Sequence, residues 1–434
     1  MKILIKNGRV IDPGNSLDKI CDILIQEGII QEICAPINTK ADRQVDATGK
    51  IVLPGLVDMH VHLREPGRED KETIESATRA ALKGGVTSLL AMPNTEPAMD
   101  TPENIRLLKK IIQGSALANV FVTGTITKAR KGEELTDIKK IKKEGAIAIT
   151  DDGNSVDSEG LMLEALKRAK EAQLLLISHA EDKAFSNKGA VNLGIISTRL
   201  GLKGISKESE YARVERDIEL AQKAGTKIHI AHVSCRESVE IIAKAKKKGI
   251  QVSADTCPHY FSLTEDAVLG YDTNFKMNPP LRTREDVQAI REGLASGAID
   301  AISSDHAPHT ENEKEIEFER AEFGVVGLET ELAASITQLL HSGLLNWGEL
   351  IEKLSLNPSR ILGINKGLLG KGLSADLIIV SPDKEWLVEK RALASKSKNC
   401  AFLGQRLKGM VEYTICQGQI AYEASSHQGA GQIV

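Results

Sequence analysis

The chain has 434 residues, a formal net charge of -4, 27% charged residues and only 3% aromatic ones. With no polybasic stripe and few rings for stacking, these totals argue against nucleic acid as a partner, and no apolar run reaches the ~20 residues that span a bilayer. The length suits a large barrel with an accessory domain. None of the six cysteines forms a CxxC pair, so reduced thiols in a cytoplasmic protein are expected.

In chain order, the N-terminus Met1–Gly8 reads as a strand entering a turn and not as a signal peptide. Residues 1 to about 50 alternate short apolar runs (Lys2–Ile5, Ile20–Ile25, Ile29–Ile33) with turns such as Asp12-Pro13-Gly14-Asn15. Eight apolar runs follow, each trailed by a segment of helical period. They are Gly55–His62, Val86–Asn94, Val120–Thr127, Ala146–Asp152, Leu174–Glu181, Lys227–Ser234, Gln251–His259 and Ala298–His309. Strands this apolar are buried on both faces, as in parallel sheets. Eight strand–helix units predict an α/β chain with a (β/α)8 TIM-like barrel over 51–366. An open doubly wound sheet would want a Gly-rich phosphate turn after its first strand, and none is present. After residue 366 the hairpin texture returns in Ala375–Val380 and Val411–Cys416. The flanks 1–50 and 367–434 are therefore expected to pair as a small β-sandwich domain built from both termini. The polar, Gly-rich stretch Ser425–Gly431 is expected to fray.

The strand ends carry the chemistry. His60 and His62 are two apart, so on a strand both imidazoles face one side. Asn94 ends the second run, Asp151-Asp152-Gly153 the fourth, His179 the fifth, His232 the sixth and Asp305 the eighth. Functional groups of a barrel gather at this C-terminal rim. Four histidines and two aspartates exceed one tetrahedral Zn²⁺ site and suit two ions about 3.5–4 Å apart, bridged by a carboxylate and a hydroxide. His229 and His232 are three apart, so only one can face the site; His232 is nearer the strand end, and His229 is read as a helix-facing structural residue. His259, His306 and His341 are read as structural, and Cys235 and Cys257 as non-ligands. Adjacent Asp151 and Asp152 point opposite ways, leaving one as ligand and the other to cap the turn at Gly153. Arg64 offers a fork for a carboxylate. The charged segment Thr310–Glu315 is read as a solvated loop, with a mobile lid as the sharper alternative.

Taken together, Pro54–Gly67, Met92-Pro93-Asn94-Thr95, Asp151-Asp152-Gly153, Asn278-Pro279-Pro280-Leu281-Arg282 and Ser304–His309 resemble the amidohydrolase superfamily, and within it the class I dihydroorotases. The resemblance covers nearly the whole chain. It implies a dinuclear zinc enzyme that closes and opens the dihydroorotate ring in pyrimidine synthesis. It implies one zinc on His60, His62 and Asp305, a second on His179 and His232, and Asp152 with a hydroxide between them. Asp305 would be the acid–base group; Arg64, Asn94, Asn278, His309 and the backbone at Phe323-Gly324 would hold the substrate. In dihydropyrimidinases, allantoinases and the other class of dihydroorotase the bridge is typically a carboxylated lysine, where this chain has Asp152. The rival expectations are such a cyclic-amide hydrolase, or a non-catalytic partner of aspartate transcarbamoylase, whose silent relatives typically lack the metal histidines. A homodimer is expected, and aspartate transcarbamoylase is a candidate partner even for an active enzyme.

Overall fold

The computed structural model describes residues 1–424; residues 425–434, which include the expected frayed stretch Ser425–Gly431 and His427, lie outside the described residues. The N-terminal strands are β1 (Lys2–Asp12), β2 (Leu17–Gln26), β3 (Ile29–Cys34), β4 (Arg43–Asp46) and β5 (Ile51–Pro54). The barrel strands are β6 (Leu56–Val61), β7 (Val86–Ala91), β8 (Asn119–Gly124), β9 (Ala146–Ile149) and β10 (Leu175–Ser178). An excursion pairs β11 (Val191–Asn192) with β12 (Gly204–Ile205). The barrel resumes with β13 (Ile228–Ile230), β14 (Val252–Thr256) and β15 (Ala301–Ile302), before β16 (Leu377–Leu387), β17 (Arg406–Cys416) and β18 (Gln419–Glu423).

The barrel strands run parallel in the order β6-β7-β8-β9-β10-β13-β14-β15. A bridge between Val61 and His306, with His62 N–H donating to the His306 carbonyl at 2.9 Å, joins the last unit to the first. This closure excludes the open sheet. Alternate residues divide the strands between two cores. Val57, Leu90, Ala148, Ile177, Ala231 and Ala301 fill the interior, while Leu56, Leu89, Ile149, Leu176, Ile230 and Ile302 pack under the helices. Helix starts are set by side-chain caps: Thr73 and Thr283 close capping boxes ahead of Ile74–Gly84 and Arg284–Ser296, and Ser158 caps Glu159–Ala172.

The two termini meet in one mixed sheet, β18-β17-β16-β5-β1-β2-β3, with β4 also on β1. It wraps its own core, including Ile3, Ile5, Ile23, Ile25, Val52, Leu377 and Ile379. β5 pairs with β16 on one side and β1 on the other, and Gly55 alone separates it from β6. A Cβ at Gly55 would lie 2.1 Å from Thr87 Oγ1, so the crossing between sheets requires glycine. Among the described residues, no helix is long and apolar enough to cross a membrane, and all six cysteines are free.

Candidate active site

The strand β6 loses its regular register between Asp58 and Val61. Met59 packs inside the barrel and Val61 under the helices, while His60 and His62 turn into one site with ring centroids 5.3 Å apart. Asp58 sits beneath them. Its carboxylate accepts the His60 N–H at 2.9 Å and the Ser304 N–H and hydroxyl, tying the first strand to the last. Burial pushes this carboxyl up to about 6 despite those bonds.

Asp152 stands at the centre. Its Oδ1 lies 3.1 Å from His60 Nε2, 3.5 Å from His179 Nδ1 and 3.7 Å from His232 Nε2; its Oδ2 lies 3.4 Å from His62 Nε2. Asp305 Oδ1 approaches His62 Nε2 at 3.2 Å and His60 Nε2 at 3.6 Å. His60, His62 and Asp305 form one group that could hold a metal ion, and His60, Asp152 and His232 another, all buried. His60 Nε2 and Asp152 Oδ1 face one another and have no hydrogen-bond partner; His179 Nδ1 and His232 Nε2, which also face Asp152, bond each other at 2.8 Å and leave His179 Nε2 and His232 Nδ1 unpartnered. Buried polar atoms left so are costly and few, and borderline N and O donors converging at this spacing fit a Zn²⁺-type ion. Against the cost of burial, Asp152 and Asp305 raise His60 to about 10, and Asp152 with Glu181 raises His179 to about 9. Asp152 and Asp305 are correspondingly driven below the usual carboxylate range. The cluster is a trap for cations.

Two parity expectations need correction. His229 does not face the helices. Its β13 neighbours Ile228 and Ile230 do, and His229 bonds Ser253 and Asp255 at 2.8 and 3.1 Å. His232 also faces inward because β13 ends at Ile230 and His232 adopts φ +40°. Asp255 holds that turn by accepting the His232 N–H at 2.5 Å. Asp305 and Arg64 likewise have left-handed backbones, φ +46° and +62°; such outliers cluster where function fixes a side chain. Nor does Asp151 cap the turn at Gly153. It accepts the N–H groups of Ile126 and Thr127 at 2.9 and 3.0 Å, and the Thr127 hydroxyl, fastening the end of β8.

Around this cluster, Asn94 Oδ1 meets His62 Nδ1 at 2.9 Å, and Asn278 Nδ2 donates to Glu181 at 3.1 Å. Glu181, 3.5 Å from His179 Nε2, was not singled out by sequence, although it stands two residues after His179 as His62 does after His60. Arg64 Nε donates to the Pro308 carbonyl at 3.0 Å, and its Nη2 lies 3.2 Å from His309 Nε2. The Phe323 carbonyl lies 2.8 Å from the same nitrogen. Gly324 has φ +125° and an N–H that donates to the Lys276 carbonyl; a Cβ there would meet Ala307 Cβ at 2.6 Å and His309 Nε2 at 3.3 Å. Glycine thus keeps room beside His309. Asn399 accepts the His309 N–H and donates to the Ala307 and Gly324 carbonyls.

The segment after His309 is not the freely solvated loop the charges suggest. Lys314 is buried, donating to the Lys276, Glu322 and Gly324 carbonyls, and Lys276 donates to those of Phe318, Glu319 and Ala321. Cys235 bonds Glu210; His306 and His341 make contacts outside the cluster, with Gly327 and Pro382. Cys257 and His259 lie beside Asp305 and form a third group of metal-binding residue types.

A family model described as dihydro-orotase-like matches residues 49–238. The chain is 49% identical to a dihydroorotase of Elusimicrobium minutum over 423 residues, 98% of each chain. It is 47% identical to one of Caldanaerobacter subterraneus subsp. tengcongensis, again over 98% of each, and 47% to one of Citrifermentans bemidjiense, over 98% of this chain and 100% of that one. Among solved structures, the L-hydantoinase of Arthrobacter aurescens superposes with a TM-score of 0.89 at 25% identity, covering 99% of this chain and 97% of that one. The dihydropyrimidinase of Brevibacillus agri shares the fold with a TM-score of 0.86 at 22% identity, covering 99% and 96%. Near-complete coverage at almost half identity, on a barrel of the amidohydrolase type, shows that the chain belongs to the dihydroorotase family.

Proposed function

We propose that this chain is an active dihydroorotase: it interconverts N-carbamoyl-L-aspartate with dihydroorotate and water in pyrimidine biosynthesis. The observation that carries the substrate is the pair Arg64 Nη2 and His309 Nε2, 3.2 Å apart at the edge of the buried cluster. Arg64 Nη2 donates, and His309 Nε2 donates as well when the neutral ring carries its one proton there, so the two meet where an anion would be accepted. Burial, with Arg64, Lys71 and Lys314 near, pushes the His309 ring far below its ordinary range. The substrate carboxylate that does not react supplies such an anion; hydantoin and allantoin carry none.

In this reading His60, His62 and Asp305 would hold one Zn²⁺ and His179 and His232 a second, with Asp152 between them. Such a pair acidifies water toward neutral pH and polarises a carbonyl. Asp305 carries the proton: it takes it from the attacking water and passes it to the departing ring nitrogen. In the cyclising direction it accepts the ureido proton as the ring closes and water leaves. Arg64, Asn278 and His309 orient the substrate, Asn94 through the amide nitrogen opposite its bond to His62, and the Phe323-Gly324 turn keeps the pocket open.

The same reading divides the chain into a metal-dependent barrel, 51–366, and a composite β domain, 1–50 with 367–434. The hydrogen bonds of β5 to β1 and β16 support a composite β domain and favour counting β5 with it. A cytoplasmic homodimer, and a complex with aspartate transcarbamoylase, complete the proposal. Light scattering with and without the transcarbamoylase tests both assemblies. The deciding experiment for function is a steady-state assay with dihydroorotate, hydantoin and allantoin side by side, with elemental analysis of the same preparation. Turnover of dihydroorotate that chelation removes and Zn²⁺ restores is expected. Preference for a neutral ring, or full activity in metal-free protein, overturns the reading.

A further inference from the structure

Lys71 is 5% exposed, in the loop that runs from His62 to the helix Ile74–Gly84. Its ammonium lies 3.1 Å from His309 Nδ1 and 2.9 Å from Glu313 Oε1. Glu313 Oε2 in turn stands 3.7 Å from the same imidazole nitrogen. Lys71 is therefore interposed between a carboxylate and a histidine.

An ammonium has three hydrogens and no lone pair, so it can only donate. Facing it, Nδ1 must present its lone pair, and the single proton of a neutral ring goes to Nε2. There the Phe323 carbonyl, 2.8 Å away, accepts it. The opposite tautomer would set N–H against ammonium and leave that carbonyl facing a lone pair. Glu313 pulls the other way, since a bare carboxylate facing Nδ1 favours a proton on it. Lys71 pairs with the other oxygen of that carboxylate, Oε1, and Arg68, 2.7 Å from the same Oε1, draws further on its charge. The remaining charged groups facing the ring are Arg64 and Lys314, both of which disfavour imidazolium; Arg64 Nη2, a donor 3.2 Å from Nε2, opposes a proton there, against the shorter contact of that nitrogen with the Phe323 carbonyl. The frame is rigid: Glu313 also accepts from Thr310, and Ser397 donates to the Lys71 carbonyl at 2.7 Å.

We propose that Lys71 is a positioning residue that holds His309 neutral and protonated at Nε2, the Phe323 carbonyl keeping that proton until a substrate carboxylate beside Arg64 takes it over. The inference rests on the proposed function for its purpose but not for its chemistry. The measurement is a long-range ¹H–¹⁵N correlation of the ring nitrogens in the zinc-loaded enzyme, free of substrate, with His309→Gln identifying the signal. The wild-type ring is expected to keep its Nε2 proton and stay neutral between about pH 5.5 and 8, across the usual histidine range. In Lys71→Met, Glu313 faces the ring alone; the proton moves to Nδ1 and the ring titrates within that window. KM for dihydroorotate should rise roughly fivefold to tenfold, the loss of one hydrogen bond, with a smaller change in kcat. If Lys71→Met fails to fold, Lys71→Gln keeps a donor toward Nδ1 without the charge. Its ring should keep the Nε2 proton and titrate higher than wild type. An unaltered tautomer and titration in Lys71→Met, or an unshifted titration in Lys71→Gln, overturns the proposal. A ring that changes as expected while KM stays constant upholds the role of Lys71 and breaks the assignment of His309 to the substrate.

Discussion

The two sides of this site obey opposite rules. On the side of the histidine cluster, His60, Asp152, His179 and His232 each bury a polar atom that no protein group satisfies, and His232 and Asp305 have left-handed backbones. On the side of His309, every ring nitrogen and the surrounding loop is engaged: Lys71 at Nδ1, Phe323 at Nε2, Asn399 on the backbone, Lys276 and Lys314 pinning six carbonyls. A place meant to receive ions leaves donors open and bears the cost. A place meant to shape an organic anion satisfies its own groups first, so that few hydrogens point outward and each has one direction.

If that contrast holds, replacements on the open side should abolish metal or chemistry, whereas those on the satisfied side should grade affinity. The largest effect is expected from Asp152→Ala. It should strip metal, measured by elemental analysis, and turnover with it, whereas Asp151→Ala should retain metal and cost about 1–3 kcal/mol of stability through three lost bonds at β8. The reverse metal contents would put the ligand one residue earlier. Next, Asp305→Asn should fold, because asparagine tolerates the left-handed backbone, and lose roughly 10²–10⁴-fold in kcat as the proton acceptor disappears. Turnover close to wild type would take Asp305 out of the reaction.

Metal uptake should depend steeply on pH. With His60 raised to about 10 and His179 to about 9, the ion-free cluster holds protons at neutral pH that a metal must displace. Affinity should therefore climb between pH 6 and about 9, by up to about tenfold per unit for each proton released; a flat chelator competition would refute this. The sign for stability is opposite. A raised histidine pKa stabilises the ion-free fold below its unfolded value near 6.5, and that contribution is lost as pH rises through about 9–10. The mildest effect belongs to the satisfied side. Arg64→Met should lower kcat/KM for dihydroorotate by at least about tenfold, the value of one bond to a charged group, and affect any turnover of neutral hydantoin much less. Equal losses on both substrates would make Arg64 structural.

Much of this was legible in the chain because buried parallel strands leave continuous apolar runs, and barrels gather function where those runs end. The residues that escaped had physical reasons. Parity puts His229 on the wrong face because both it and His232 turn inward: the positive φ at His232, the residue expected at the site, reverses the alternation on which parity depends. The Asp151–Asp152 choice was open to the same argument extended upstream: Ala148 fills the barrel interior, and Thr150 and Asp152 follow at intervals of two. Lys71 and Asn399 reach His309 across 238 and 90 residues of sequence, from loops with no period, so only the fold brings them together.

The order in which the chain is made gives the terminal sheet another meaning. β5 finds β1 within a few dozen residues, yet its other edge waits for β16, about 320 residues later. At ribosomal rates of about 5–20 residues per second, that edge stays open for roughly 15–65 seconds. It is the apolar run Ile51-Val52-Leu53-Pro54, and it leads directly into the strand bearing His60 and His62. An open apolar edge recruits other strands. Nascent chains of this protein are thus most exposed to mispairing beside His60 and His62, and release of the C-terminal strands from the ribosome is the event that seals them.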